Sequence, residues 1–313
     1  MEKIATREAY GKALAELGET YDFVVLDADL AAATKTGIFK KKFPERFFDC
    51  GIAEANMASV AAGLAAAGQI PFISSFAMFS AGRAFEQVRN SIAYPHLNVK
   101  IVGTHAGITV GEDGATHQCN EDLALMRSIP GMVVINPSDA TESRAAVEAA
   151  LKYEGPVYLR FSRFATPDLT SELEGFSYEI GKGVVLSEGS DVTIVACGYM
   201  VHLAMEAKEM LAAEGISATV IDMHTVKPLD TELLVAAARA TGAVVTAEEH
   251  SINGGLGEAV ASTLAETCPV PVMRVGVADT FGRSGKVPPL LEMYGLTSAK
   301  IVERAKAAIA LKK

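Results

Sequence analysis

Short β-branched runs bounded by turn residues alternate along this chain with longer alanine-rich segments of helical period. That alternation confines it to βα units around a largely parallel sheet, an α/β fold. Runs at residues 23–26, 99–103, 133–136 and 157–161 predict strands, and apolar spacing predicts helices over residues 7–17, 54–67, 81–92 and 140–152. The last of these opens on Pro137-Ser138-Asp139, a capping segment. A second alternation predicts strands at 192–196, 218–222, 243–247 and 272–276, with helices at 200–213, 230–240 and 256–266. A polar loop at 279–289 then precedes a last amphipathic helix. Between the two alternations lies a stretch rich in Thr, Ser, Glu and Pro. The 313 residues therefore divide into a first domain over 1–165, a linker over 166–190 and a smaller second domain over 191–313.

Charge and apolar patterning exclude several function classes. With 28 Lys and Arg against 38 Asp and Glu, the net charge is −10, and Lys40-Lys41-Lys42 is the one basic run that stands out. A nucleic-acid partner is disfavoured. Charge, proline or glycine interrupts every apolar stretch before the roughly 20 residues needed to cross a bilayer. The start, Met1-Glu2-Lys3-Ile4-Ala5-Thr6-Arg7, has no basic segment followed by an apolar block, so the expectation is a cytoplasmic protein without leader or membrane contact. Cys50, Cys119, Cys197 and Cys268 are scattered and form no Cys-x-x-Cys pair. They read as buried thiols, neither disulfides nor zinc ligands.

Four segments carry residues suited to chemistry. In Asp49-Cys50-Gly51-Ile52-Ala53-Glu54-Ala55-Asn56-Met57 a lone acid, Glu54, enters a helix of Ala, Gly, Ser, Met and Val. It is either an ordinary acid favoured by the helix dipole or a buried carboxyl placed to exchange a proton with a ligand. The run Thr104-His105-Ala106-Gly107-Ile108-Thr109-Val110-Gly111-Glu112-Asp113-Gly114-Ala115-Thr116-His117-Gln118 follows an expected buried strand, where ligands of parallel sheets bind. Its donors and acceptors suit a polyhydroxylated or phosphorylated small molecule, or merely satisfy the loop backbone. Phe76 and Phe79 near the start of a helix could face a planar ring or pack in the core. Arg160 and Arg163 flank Phe161-Ser162, and Arg163 could fork onto a phosphate or make a surface salt bridge. Downstream, Asn253-Gly254-Gly255-Leu256-Gly257-Glu258 lacks the spacing of a dinucleotide fingerprint and reads as a tight loop at a domain or subunit boundary.

Over essentially its whole length the chain resembles the transketolase family of thiamine diphosphate enzymes, in their C-terminal portion. The run Val110-Gly111-Glu112-Asp113-Gly114-Ala115-Thr116-His117-Gln118 carries the resemblance, with Arg127-Ser128-Ile129-Pro130-Gly131 and Pro137-Ser138-Asp139. It implies a pyrimidine-binding domain with a mainly parallel sheet followed by a smaller α/β transketolase C-terminal domain. It also implies that Glu54 hydrogen-bonds N1′ of the cofactor's aminopyrimidine and drives the imino tautomer, whose own nitrogen removes the thiazolium C2 proton. Phe79, with Phe76 nearby, would stack on the pyrimidine. Asp113 and His117 match residues that contact the sugar hydroxyls and carbonyl of the donor. His105 and Arg163 match ligands of the substrate phosphate.

Three departures from full-length relatives bear on the reading. No Gly-Asp-Gly triplet of the kind that helps hold magnesium on the cofactor diphosphate occurs in the sequence. The resemblance is therefore to the C-terminal subunit of a split transketolase, with Mg2+ ligands supplied by an N-terminal subunit and an α2β2 assembly built on a twofold core of this chain. Ala55 stands where relatives carry a larger polar or imidazole residue, and Gly82 stands about where they place a pocket tyrosine. The implied reaction moves a two-carbon ketol unit from a ketose phosphate to an aldose phosphate. Alternatives are the C-terminal half of a deoxyxylulose-phosphate synthase, disfavoured by Thr104-His105, the β subunit of a 2-oxoacid dehydrogenase decarboxylase, and a non-catalytic regulatory subunit.

Overall fold

The computed structural model describes residues 3–312. Met1 and Glu2, on which part of the N-terminal reading rests, and Lys313 lie outside the described residues. In chain order the strands of the first half are β1 (Lys3–Ala5), β2 (Val24–Asp27), β3 (Phe47–Asp49), β4 (Pro71–Phe76), β5 (Lys100–Thr104), β6 (Val133–Ile135), β7 (Val157–Arg160) and β8 (Ala165–Pro167). Those of the second half are β9 (Val184–Ser187), β10 (Val192–Ala196), β11 (Ala218–Asp222), β12 (Thr225–Lys227), β13 (Val244–Ser251) and β14 (Val272–Val277).

Seven strands form one sheet in the order β12-β6-β7-β5-β4-β2-β3. Every pairing in it is parallel except that of β12 with β6. β2, β4, β5 and β7 are buried along their whole length, as strands covered on both faces must be. On one face the helices Thr6–Leu17 and Ala140–Lys152 close over Tyr10, Phe23, Phe39, Phe72 and Phe161. On the other, the helix Glu54–Ala66 packs Met57, Ala58 and Ala61 against Ile73 and Ile101. A second sheet, β14-β13-β10-β11-β9, is parallel apart from β9. The helices Met200–Ala213 and Ser298–Ala310 pack against it. Among the described residues no helix is long and apolar enough to cross a membrane. All four cysteines are free thiols, with Cys119 and Cys197 buried and Cys50 and Cys268 half-buried.

The structure departs from the sequence expectations where local pattern is weak. β4 is fully buried in the interior of the sheet, but its opening proline and Ser74-Ser75 hide it from a β-branched signal. The helix expected over 81–92 begins earlier and is largely π-wound, as Met78–Arg83 and Val88–Ala93 around a short α segment, Phe85–Gln87. Ser80 donates its hydroxyl to the Val102 carbonyl there, anchoring the widened turn to β5. The stretch expected as linker holds β8, which pairs antiparallel with β1, and β9, which joins the second sheet. The last amphipathic segment is two helices, Val287–Tyr294 and Ser298–Ala310, separated at Gly295, whose φ of 67° closes the first in a left-handed cap.

Under the first sheet Asp122 and Arg160 form a buried ion pair, Nε to Oδ2 at 2.8 Å, and the Tyr158 hydroxyl donates to the same oxygen at 2.8 Å. Arg160 also donates from Nη2 to the Glu249 carbonyl in β13 at 2.8 Å, so one guanidinium ties the two halves together. Asp122→Ala would leave that guanidinium buried without its counter-charge. The expected cost is about 3–5 kcal/mol of stability, read from urea unfolding. A loss below about 1 kcal/mol would show that the pair is not what holds β7 to the helix Asp122–Ser128.

Candidate active site

Parallel topology brings the chemically suggestive residues to one edge. Glu54 follows β3, Phe76 ends β4 and Phe79 follows it, His105 to His117 follow β5, and Arg163 follows β7. All four connections leave the carboxyl ends of strands of the same parallel sheet, where ligands bind. Glu54 is the first residue of its helix and is 1% exposed. Its Oε2 accepts from Arg83 Nη1 at 2.9 Å. The Arg83 guanidinium also lies over the Phe79 ring, 4.5 Å from its centroid.

The aromatic side chains form one stack. Phe76 lies 3.9 Å from the His105 ring and 6.0 Å from Phe79, both near parallel, while His117 meets Phe79 edge-on at 5.4 Å. Phe76 is 7% exposed, whereas Phe79 and His117 are half-buried. Phe79 is thus the less buried of the two phenylalanines, with the Arg83 guanidinium over its ring and Phe76 stacked behind it. At Gly82 an added Cβ would stand 2.5 Å from Met78 Cε, so the position leaves no free room for a larger side chain unless Met78 moves.

Around His105 a directed chain of hydrogen bonds fixes the tautomer. Arg7 Nη1 lies 3.3 Å from His105 Nε2, and a guanidinium cannot accept, so Nε2 accepts and the ring proton sits on Nδ1. Nδ1 then donates to Thr104 Oγ1 at 3.0 Å, and that hydroxyl donates to the Ser75 carbonyl at 3.2 Å. Burial first, and then the charges of Arg7 and Arg163, push the His105 pKa down to about 3, so the ring is neutral at physiological pH. Its backbone holds φ at 54°, a left-handed conformation that the stack and these hydrogen bonds impose. Both ring nitrogens are engaged, and the cation beside them is Arg7.

Arg7 is the residue that the sequence reading missed. Its helix begins at Thr6, which accepts from the Ser162 backbone N–H on Oγ1 at 2.7 Å and so docks the helix start beside Arg163. Burial and the nearby Arg163 both lower the Arg7 pKa, and its buried Nε has no partner among the described residues. Arg163 donates to the Val110 carbonyl and makes no ion pair among the described residues. The two arginines line a cleft of about 320 Å³ with Thr109, Gly111, Glu112 and Lys286. A sequence signal for Arg7 existed: a cation in the first turn of a helix opposes the macrodipole and asks for another reason to be there.

The loop after β5 is held from the second half. Glu249 Oε1 accepts from the Thr109 N–H at 2.6 Å, and Gln118 Nε2 donates to the Ile108 and Arg283 carbonyls at 3.2 and 2.9 Å. Gly107, Gly111 and Gly114, with φ of 77°, 81° and 77°, let the chain make this turn. His117 Nδ1 pairs with Thr116 Oγ1 at 2.9 Å, beside a cleft of about 630 Å³ that reaches Phe281 and Gly282. Asp113 is exposed on the same loop, outside the aromatic stack. The glycine-led helix start at Leu256 is already filled, because Glu248 accepts from the Leu256 and Gly257 N–H groups at 2.7 and 2.8 Å.

The transketolase pyrimidine-binding domain family matches residues 2–168, and the transketolase C-terminal domain family matches residues 181–301. The chain belongs to the transketolase family. It is 51% identical over 300 residues to a putative transketolase C-terminal section of Methanocaldococcus jannaschii, covering 95% of this chain and 94% of that protein. It is 49% identical over 300 residues to a 6-deoxy-6-sulfo-D-fructose transketolase subunit of Clostridium sp., covering 96% and 92%. A solved split-gene transketolase, described as an inactive β4 tetramer, superposes with a TM-score of 0.91 at 57% identity over the whole of both chains. The chain therefore carries the pyrimidine-binding and C-terminal domains of the transketolase family.

A buried carboxyl beside a half-open aromatic face fits an aminopyrimidine. Among the described residues no group of three His, Cys, Asp or Glu side chains is placed to hold a metal ion. The support of the loop by Glu249 has a pH signature in this transketolase-family chain. Burial raises the Glu249 carboxyl to about 7, against the opposing pull of Arg160. The folded chain thus holds a proton that the unfolded chain releases near 4.5, and stability falls as pH rises from about 4.5 to about 7. Glu249→Gln keeps the acceptor for Thr109 and removes the titration. Its stability relative to the unsubstituted chain should rise between pH 5 and pH 8 by up to about 3 kcal/mol, measured in parallel unfolding series. An identical pH slope in the two proteins would assign the titration to another group.

Proposed function

We propose that this chain is the C-terminal subunit of a thiamine diphosphate-dependent transketolase that moves a two-carbon ketol unit from a ketose phosphate to an aldose phosphate. The observation that carries the reading is the convergence of Glu54, Phe79 and His117 with an arginine pair, Arg7 and Arg163, along one sheet edge. Bound thiamine diphosphate supplies the nucleophilic carbon that carries the ketol unit. Glu54 holds a proton at N1′ of the aminopyrimidine, Phe79 supplies the stacking face and Phe76 backs it. His117, edge-on to Phe79, meets the reacting end of the sugar, and exposed Asp113 meets its hydroxyls. Arg7 and Arg163 take the terminal phosphate, with His105 holding Arg7 in position through Nε2.

The same reading needs a partner. Without a Gly-Asp-Gly triplet, the Mg2+ and diphosphate ligands come from an N-terminal transketolase subunit. An α2β2 assembly in the cytoplasm accommodates this, with copies of the present chain packed on each other. The helix Glu54–Ala66 supports such packing: beyond Glu54 it carries no charge, yet Asn56, Ser59, Val60, Gly63 and Ala66 stand exposed on one side. The purified chain with cofactor and Mg2+ should show no ketol transfer, and activity should appear on adding the N-terminal subunit. Full activity of the chain alone, or an active 1:1 heterodimer by mass measurement, would overturn this assembly. In the reconstituted enzyme Glu54→Gln should slow exchange of the cofactor C2 proton by orders of magnitude while the fold survives. Exchange at the unsubstituted rate would leave Glu54 a structural residue.

The arginine pair has its own test. Charge-assisted contacts contribute roughly 1.5–3 kcal/mol, so Arg163→Ala or Arg7→Ala should lower kcat/KM for a phosphorylated ketose about ten- to a hundredfold. A short unphosphorylated ketose should be affected far less. Equal losses on both substrates would remove the phosphate role from the arginine concerned.

A further inference from the structure

Arg83 takes no part in the reading above, yet it occupies both groups assigned there to the aminopyrimidine. Its Nη1 donates to Glu54 Oε2 at 2.9 Å while its guanidinium covers Phe79 at 4.5 Å. A guanidinium is planar, carries N–H donors and stacks on aromatic faces, and so reproduces the shape and polarity of an aminopyrimidine edge. The likeness fails in one respect. Arg83 can only donate, so Glu54 can only accept from it, whereas N1′ of the pyrimidine requires Glu54 to donate. The two arrangements exclude each other at one carboxyl and one ring face.

The local backbone allows exchange between them. Arg83 follows Gly82 in the π-wound turn Met78–Arg83, and its side chain is 49% exposed against 2% for that of Glu54. The glutamate is thus fixed at a helix start while its partner is the side chain with solvent on one side. No other ion pair of Arg83 or Glu54 occurs among the described residues. We propose that Arg83 is an internal stand-in for the aminopyrimidine, closing the Glu54–Phe79 site of the free subunit and competing with the cofactor for it. The proposal rests on the reading of Glu54 and Phe79 as the pyrimidine site. It makes Arg83 a positioning residue: it keeps the buried Glu54 carboxyl paired until the ring arrives and then swings into solvent.

The apparent affinity of a site open only part of the time is reduced by that fraction, so a stand-in seated about nine-tenths of the time costs about tenfold. The test titrates the full chain, without partner or metal, with thiamine, which carries the aminopyrimidine and no diphosphate. Binding is read by calorimetry, and circular dichroism confirms the fold of each variant. Arg83→Gln should bind thiamine about tenfold more tightly than the unsubstituted chain. The gain should vanish in the double variant Glu54→Gln/Arg83→Gln. Arg83→Gln binding no more tightly than the unsubstituted chain, or showing no binding at millimolar thiamine, would overturn the proposal. If that happened while Glu54→Gln alone abolished binding, Arg83 would fail as a stand-in and Glu54 would keep its assignment. Affinity indifferent to Glu54 in every background would overturn both.

Discussion

The ion pair of Asp122 and Arg160 is the contact on which the geometry of the site depends. Both side chains are almost wholly buried, and Arg160 also donates from Nη2 to the Glu249 carbonyl, so the pair reaches across to the second half. Tyr158 and Arg160 belong to β7, Asp122 opens the helix after the glycine-rich loop, and the Glu249 carbonyl belongs to the other half. Glu249 also uses its carboxyl to hold the Thr109 N–H. A buried charge cannot drift without losing its partner, so strand, helix, loop and second sheet are registered against one guanidinium. The carboxyl ends of β5 and β7 are thereby held at the spacing that brings His105 near Arg163.

Much of this was legible in the sequence because parallel α/β architecture is written in simple periodicities. Buried strands such as β2, β5 and β10 read as continuous β-branched runs, and helices such as Ala140–Lys152 carry both a regular apolar face and an Asp139 cap that accepts from the Glu142 N–H. β4 escaped because its residues, Pro71 to Phe76, owe their burial to position in the interior of the sheet rather than to β propensity. β12 and β9 escaped because they are short and antiparallel at sheet edges, and only tertiary pairing defines them. The π-wound segment escaped because a turn with one residue too many has no period of its own.

For the site, the sequence named residue types and the fold supplied who touches whom. Glu54, Phe76, Phe79, His105 and His117 could each be singled out from chemistry and neighbours in the chain. Their mutual stacking, with rings 3.9 to 6.0 Å apart, follows from strand order and could not be read linearly. Arg7 is the clearest case: it lies 98 residues from His105 in sequence and meets it only because the first helix docks on Ser162. In the proposed site its presence gives His105 a positioning part. A neutral imidazole with both nitrogens engaged positions a cation more effectively than it binds an anion itself.

The second half contributes none of the assigned ligands, yet the site needs it for an electrostatic reason. Its contact with the first half is lined by carboxyls as well as by apolar side chains. Asp222, at the end of β11, is fully buried, close to Glu142 and to the Asp139 cap at the start of the opposing helix. Two carboxylates cannot sit so close in a dry seam, and burial raises Asp222 to about 8 and Glu142 well above its ordinary value. The raised values favour the neutral forms of both carboxyls, which eases the repulsion between them across the seam. At the loop end of that seam burial likewise raises the Glu249 carboxyl, against the opposing pull of Arg160 and of the hydrogen bond it accepts from Thr109. The glycine-rich loop, with three residues in left-handed conformations, has little stiffness of its own. Its rigidity is borrowed from the neighbouring half, through the Glu249 carboxyl on Thr109 and the Arg283 carbonyl that accepts from Gln118.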